Sequence, residues 1–211
     1  MGDIERKGYL LTVEGTEGTG KTTLIRRIKH YLERKGFLVS FYREPGSTPA
    51  GERIRRILLK IPLSPLTEAL LYLAARHELV SKRIEKDLRE GKIVLVDRFM
   101  DSTLAYQGYG RGLDLEWLEE MNHLVTREIE PDLTLLLISS SPLGFKKVGK
   151  DKIERESYEF HRKVREGYEE IERKYRHRIR RIKLEGDREE VFLRVKEILD
   201  KEVIPCLRER S

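Results

Sequence analysis

Short apolar runs alternate along this chain with longer stretches of helical spacing. Tyr9-Leu-Leu-Thr-Val-Glu14 is a compact apolar run that ends in a glycine-rich stretch, as a buried parallel strand does. Between Thr22 and Lys35 the residues Leu24, Ile25, Ile28, Tyr31 and Leu32 fall on one helix face, and Gly36 supplies a stop. The same reading predicts further strands at Leu38–Tyr42, Ile93–Asp97, Leu133–Ile138 and Ile179–Leu184. It predicts helices over about Gly51–Lys60, Pro65–Glu90, Leu115–Ile129, Ile153–Tyr175 and Arg188–Val203. Strands that are continuously apolar and separated by helices argue for an α/β fold, a parallel sheet flanked by helices on both faces. No repeat, low-complexity tract or Ser/Gly linker interrupts residues 1–211, which read as one domain. In such a sheet the site forms at the carboxyl ends of the strands. Three of those ends, after Glu14, Tyr42 and Val96, run into chemically loaded segments.

Composition narrows the partners. Charged residues make up 38% of the chain, against about 25% in typical soluble domains. Because 43 Lys and Arg face 37 Asp and Glu, for a net charge of +6, most of that charge belongs to solvated ion pairs. The basic run from Arg173 to Lys183 follows Glu166, Glu169, Glu170 and Glu172 and reads as a charged helix face, so no nucleic-acid partner is expected. Leu133–Ile138, the longest apolar stretch, is far too short to cross a bilayer, and Met1–Arg6 hold no apolar signal region. The expectation is a soluble, cytoplasmic protein with no membrane partner. A lone cysteine, Cys206, excludes an internal disulfide framework, and His30, His77, His123, His161 and His177 lack ligand spacing.

Gly15-Thr16-Glu17-Gly18-Thr19-Gly20-Lys21-Thr22 fits G-x-x-x-x-G-K-[ST], between a predicted strand and a predicted helix that continues at Thr23. Glycines there let backbone N–H groups turn inward around a polyphosphate, and the helix N-terminus adds favourable potential. Lys21 would bridge the β- and γ-phosphates and Thr22 would ligate magnesium. Asp97, closing the third strand, is a second candidate for magnesium, or else a helix-capping carboxylate. Arg98 offers a planar fork suited to a phosphate. Tyr106 and Gln107 offer an aromatic face and an amide edge for a nucleobase.

The phosphate loop, Arg43-Glu-Pro-Gly-Ser-Thr-Pro-Ala-Gly-Glu-Arg-Ile-Arg55, Asp97-Arg98 with Ala105-Tyr-Gln-Gly108 and Arg111-Gly112, and Phe160-His-Arg-Lys-Val-Arg-Glu-Gly-Tyr168 together resemble bacterial-type thymidylate kinases over about residues 8–185. The resemblance implies a nucleoside monophosphate kinase fold, phosphoryl transfer from ATP to dTMP with Mg²⁺, and a homodimer. It implies that Glu17 sits near the sugar 3′-hydroxyl and the acceptor phosphate, and that Tyr72 stacks on thymine where the family usually has Phe. It further implies that Arg76 reads the base edge, Arg98 holds the acceptor phosphate, Pro45 packs near the base, and Ser102, Tyr106 and Gln107 line the nucleotide.

Catalysis in such a site is mainly positioning plus neutralisation of charge on the transferred group. Bacterial-type members that lack an arginine in the phosphate loop carry arginines in a lid. Here the corresponding segment, about 142–154, carries Lys146, Lys147, Lys150 and Lys152, and the first arginine is Arg155. Lys147, Lys150, Lys152 or Arg155 is therefore expected to swing over the ATP phosphates. Ile138-Ser139 also departs from the family, which usually has an acidic residue after that strand. Those departures leave room for a catalytically weakened nucleotide-binding homologue, and the base-reading set leaves room for a kinase of another nucleoside monophosphate. A phosphate-loop ATPase acting on nucleic acid is disfavoured, because Tyr72, Arg76, Arg98 and Gln107 commit the site to a small acceptor.

Overall fold

The computed structural model describes residues 7–138 and 155–210. Among them, five strands form one parallel sheet in the order β2-β3-β1-β4-β5: β1 (Tyr9–Gly15), β2 (Val39–Arg43), β3 (Ile93–Asp97), β4 (Leu133–Leu137) and β5 (Ile179–Ile182). All five predicted strands are present, shifted by at most two residues at an end. Helices α1 (Lys21–Arg34), α8 (Arg188–Ile198) and α9 (Ile204–Glu209) cover one face. The other is covered by α3 (Pro65–Leu79), α4 (Glu85–Arg89), α5 (Met100–Thr103), α6 (Leu115–Thr126) and α7 (Tyr158–Lys174). The remaining helix, α2 (Pro49–Lys60), packs on α3.

Alternation along each strand sorts its residues between the faces. Tyr9, Leu11 and Val13, with Ile93, Leu95, Leu133, Leu135 and Leu137, meet Leu24, Ile25, Ile28 and Val195 in one core. Leu10, Val94 and Val96 pack under Leu79, Ile84, Leu88 and Phe99, while Leu136 packs under Leu104, Val164 and Tyr168.

Three helical predictions are corrected. The long helix over Pro65–Glu90 is α3 and α4 joined through a π-helical turn at Val80–Ile84. The helix over Ile153–Tyr175 begins instead at Tyr158, because Ser157 caps it by accepting the Phe160 amide at 3.1 Å; residues 153 and 154 lie outside the described residues. The predicted helix over Arg188–Val203 is α8, a π-helical turn (Leu199–Val203) and then α9. Two consecutive elements were not foreseen. After Asp97-Arg98 the chain forms α5 and a π-helical segment, Leu104–Gly110. Helix α7 lies so close to it that a Cβ on Gly110 would stand 2.7 Å from Phe160.

Strand order explains why the loaded strand ends meet. The three strands that end in them, β2, β3 and β1, are consecutive neighbours, with Arg43 and Val13 both in register with Asp97. Arg98 N–H donates to the Val13 carbonyl and Glu44 N–H to the Asp97 carbonyl, both at 3.0 Å. Among the described residues no helix is long and apolar enough to cross a membrane.

Candidate active site

The phosphate loop leaves β1 at Gly15, whose φ is 133° and where a Cβ would lie 1.9 Å from the Leu137 carbonyl oxygen of β4. Gly18 (φ 74°) and Gly20 (φ 82°) complete the turn into α1. Lys21 folds back into the loop, and its Nζ donates to the carbonyls of Gly15 at 3.0 Å and Thr16 at 2.6 Å. Burial, aided by the Arg98 cation, outweighs the pull of Glu17, Asp97 and Glu14 and pushes the Lys21 ammonium down to about 7. Glu17 to Thr23 line a cavity of about 570 Å³; Gly15 and Thr16 lie just behind that lining and hold Lys21 through their carbonyls.

The opposite wall begins at Arg98, which takes a left-handed backbone (φ 65°) although it is not glycine. A buried carboxylate holds that turn. Glu14, fully buried at the end of β1, accepts the amides of Phe99 (2.6 Å) and Ser102 (3.3 Å), the Ser102 hydroxyl and the Tyr168 hydroxyl (2.9 Å). Burial, with Asp101 nearby, raises its carboxyl above the ordinary range against those hydrogen bonds. Arg98 Nη2 donates to Glu17 at 2.8 Å, and its guanidinium lies 5.0 Å above the Tyr106 ring. The Tyr106 hydroxyl donates to the same Glu17 oxygen at 2.6 Å. Burial would raise the Glu17 carboxyl, but Arg98, Lys21 and Tyr106 together hold it below the usual range, so it is an anion. Its other oxygen, Oε2, is buried without a hydrogen-bond partner.

Tyr72, Pro45, Arg76, Ser102, Tyr106, Gln107, Thr22 and Asp97 all line the same cavity as the loop, so the structure assembles residues from three of the sequence motifs and from α3 in one place. Arg76 is held differently from a free reading fork. It is 2% exposed and donates Nε to Glu44 (2.8 Å), Nη1 to Thr103 (2.7 Å) and Asn122 (2.5 Å), and Nη2 to the Phe99 carbonyl (2.9 Å). One Nη2 hydrogen remains for a ligand. Burial pushes Glu44 up to about 7 despite Arg76, and its Oε1 has no partner. Gln107 donates Nε2 to Glu68 at 3.1 Å, and Arg111 holds that carboxylate from the other side at 3.1 and 3.2 Å. A carboxylate only accepts, so the Gln107 carbonyl oxygen is the amide atom left for a ligand.

A second cavity, about 250 Å³, opens across the loop. Its walls are Leu24, Leu137, Leu184 and Val191, with Gly186, Asp187 and Arg188 on the rim. Sequence reasoning missed this pocket, as it missed Glu14, Glu44, Glu68 and Tyr168 as residues that hold the site. The visible signal was position alone: Glu14 is a carboxylate in an apolar strand immediately before the loop.

Arg155 is exposed in the turn before α7 and lines neither cavity. Lys147, Lys150, Lys152, the rest of the expected lid and Ser139 lie outside the described residues. Four cations of the basic run are tied to carboxylates: Arg173 to Glu170, Arg180 to Glu202, Arg181 to Glu172, and buried Arg178 to Asp101.

The sequence profile described as thymidylate kinase matches residues 13–195. The chain belongs to the thymidylate kinase family. A thymidylate kinase of Thermoanaerobacter sp. strain X514 is 46% identical over 167 residues, 77% of this chain and 82% of that protein. One of Synechococcus sp. strain JA-2-3B'a(2-13) is 44% identical over 192 residues, covering 90% of this chain and 93% of its relative. The crystal structure of thymidylate kinase from Ehrlichia chaffeensis superposes with a TM-score of 0.78 at 34% identity, over 92% of this chain and 98% of that one. A thymidylate kinase must seat two nucleotides on either side of one phosphate loop, and the two cavities meet there.

Proposed function

We propose a division of labour among these residues for the reaction of the family, ATP-dependent phosphorylation of dTMP to dTDP. The observation that carries it is the larger cavity, which joins the phosphate loop to Arg98 and to Tyr72, Arg76 and Gln107. Backbone N–H groups of Gly18–Thr22 cradle the donor phosphates, and Lys21 turns from the loop carbonyls to the phosphoryl group being transferred. Arg98 exchanges part of its bond to Glu17 for the acceptor phosphate, held in its strained turn by Glu14. The Oε2 of Glu17, which accepts no hydrogen bond in the ligand-free site, accepts the 3′-hydroxyl, and the Tyr106 ring crowds the 2′ position against ribonucleotides. Tyr72 stacks on the base above Pro45. Arg76 donates its remaining hydrogen to a base carbonyl, and the Gln107 carbonyl accepts the N3–H of thymine. Cytosine, which presents an acceptor at N3, would leave that oxygen unpaired.

The family's reaction needs a divalent metal, and the donors available here fit Mg²⁺. Thr22 offers a hydroxyl and Asp97 a carboxylate, hard oxygen ligands of the kind that hold Mg²⁺ together with nucleotide phosphates. Among the described residues no group of three or more His, Cys, Asp or Glu could hold a metal, which suits an ion shared with the nucleotide. When bound, it would neutralise charge on the β- and γ-phosphates. An enzyme weakened by its lysine lid is not favoured by the match to the family. The protein acts as one domain, in the cytoplasm, and as a homodimer. Leu66 and Leu70 stand exposed on α3, as does Leu124 on α6, which packs beside α3; this apolar surface supports the dimer.

Magnesium-ATP turnover with each nucleoside monophosphate tests the reading. dTMP should be preferred, with dUMP poorer by only about 10–200-fold because the two differ by one methyl group. AMP or UMP accepted as readily as dTMP would refute it. Arg98→Ala should reduce dTMP-dependent turnover by about 100-fold and leave ATP affinity nearly unchanged. Equal loss of ATP affinity would make Arg98 a structural residue.

A further inference from the structure

The phosphate loop contributes one cation, Lys21, to a donor carrying several negative charges. The other cations lining the two cavities are already engaged. Arg43 is paired with Glu52 at 3.0 Å, Arg55 donates to the Pro45 carbonyl, Arg76 and Arg98 are bound as described, and Arg27 is paired with Glu189 at 2.5 Å. Arg188 differs. It is exposed, and its side chain makes no hydrogen bond or ion pair among the described residues. Its backbone, by contrast, is held from two sides. Asp187 and Glu190 form a reciprocal cap at the start of α8, and Arg27 donates to the Arg188 carbonyl at 2.9 Å.

Its place is specific. The two cavities share the loop crest Gly18–Gly20, Thr23 of α1, and Arg188. Arg188 is thus the one described residue outside the loop and α1 that lines both. A nucleoside triphosphate with its base against Leu24, Leu184 and Val191 must carry its phosphates over that crest to reach the acceptor cavity. We propose that Arg188 binds the donor polyphosphate there, supplying from α8 a guanidinium that neither the loop nor the lysine lid supplies. The side chain is uncommitted, so nothing has to be broken for it to turn toward the phosphates, and its fixed backbone limits the ordering needed.

The inference rests on the donor being ATP, and its test separates the two ideas. Steady-state kinetics with varied ATP and dTMP, on wild type, Arg188→Ala and Arg188→Lys, should show kcat/KM for ATP lowered about tenfold or more in Arg188→Ala. Arg188→Lys should recover part of the loss, and KM for dTMP should stay within about twofold. Thermal melting should be unchanged, since the side chain has no partner to lose. Calorimetry of ADP and of adenosine, without turnover, supplies the second readout. ADP affinity should fall about tenfold and adenosine affinity should not. Equal weakening of adenosine would place Arg188 on the base and overturn the phosphate contact. Unchanged ADP affinity would overturn the proposal altogether. A wild type that failed to phosphorylate dTMP would instead overturn the functional reading, with the ADP measurement still deciding the role of Arg188.

Discussion

The two faces of the sheet are built by opposite rules. Under α1 and α8 the strands present apolar side chains: Leu11, Val13, Leu95, Leu135 and Leu137. Toward α5 and α7 the same strands present Thr12, Glu14 and Thr134 among the apolar positions, all fully buried. Those polar groups are joined to one another. Thr12 bonds Thr134 at 2.8 Å, and Arg178 donates to Thr134 at 3.0 Å and grips Asp101 through both carboxylate oxygens at 2.8 and 2.7 Å. Glu14 ties α5 and Tyr168 to β1 beside them. The apolar face seats α1 by packing, with polar contacts at its edge, where Arg27 reaches Glu189 and the Arg188 carbonyl. The polar face fixes directions, because each buried donor and acceptor has a geometry to satisfy. On the division of labour proposed above, the polar face carries the acceptor side of the site and the apolar face the donor side.

Breaking the donor half should cost chemistry and little else. Lys21→Ala is expected to lower turnover by at least about 10²–10³-fold, measured in steady state, with thermal stability unchanged or raised because a buried charge is removed. A large loss of stability would mean that Lys21 holds the loop together rather than waiting for phosphate. Breaking the acceptor half should do the reverse. Asp101→Ala leaves Arg178 buried without its anion and is expected to cost about 3–5 kcal/mol in urea denaturation, while ATP affinity is retained. A loss below about 1 kcal/mol would show that this network is dispensable to the fold.

The smallest effect is a pH dependence, and it sharpens the contrast. With the Lys21 ammonium pushed down to about 7, its charged fraction in the free protein falls as pH rises above that value. kcat/KM for ATP should decline several-fold between about pH 7 and 8.5, whereas kcat should decline less, because bound phosphates restore the charge. A profile flat to about pH 9 would place Lys21 near its ordinary value. Linkage gives a second sign. Between about 7 and 10.5 the unfolded chain holds the Lys21 proton that the folded chain has lost, so this residue makes the ligand-free protein more stable as pH rises through that window.

Much of this protein was determined by the sequence alone. Strand identity, the flanking helices and the phosphate loop are local matters, since a strand's continuous apolar run or a glycine turn is written in adjacent residues. Pro45, Tyr72 and Arg76, by contrast, were named through the resemblance to the family. Tertiary structure decided what those residues hold on to. The π-helical segment Leu104–Gly110 escaped the pattern because its register departs from 3.6 residues per turn and its glycines serve close packing, Gly108 by α6 and Gly110 by α7. Glu14 looked like the end of a strand until α5 and Tyr168 were folded onto it, and Arg76 looked like a free reader until Glu44, Thr103 and Asn122 closed around it. Arg188 stands 167 residues beyond Lys21 in the chain and reaches the same loop crest in space. Hydrogen bonds between such distant segments depend on strand order and helix packing, which bring the partners together only when the whole sheet has formed.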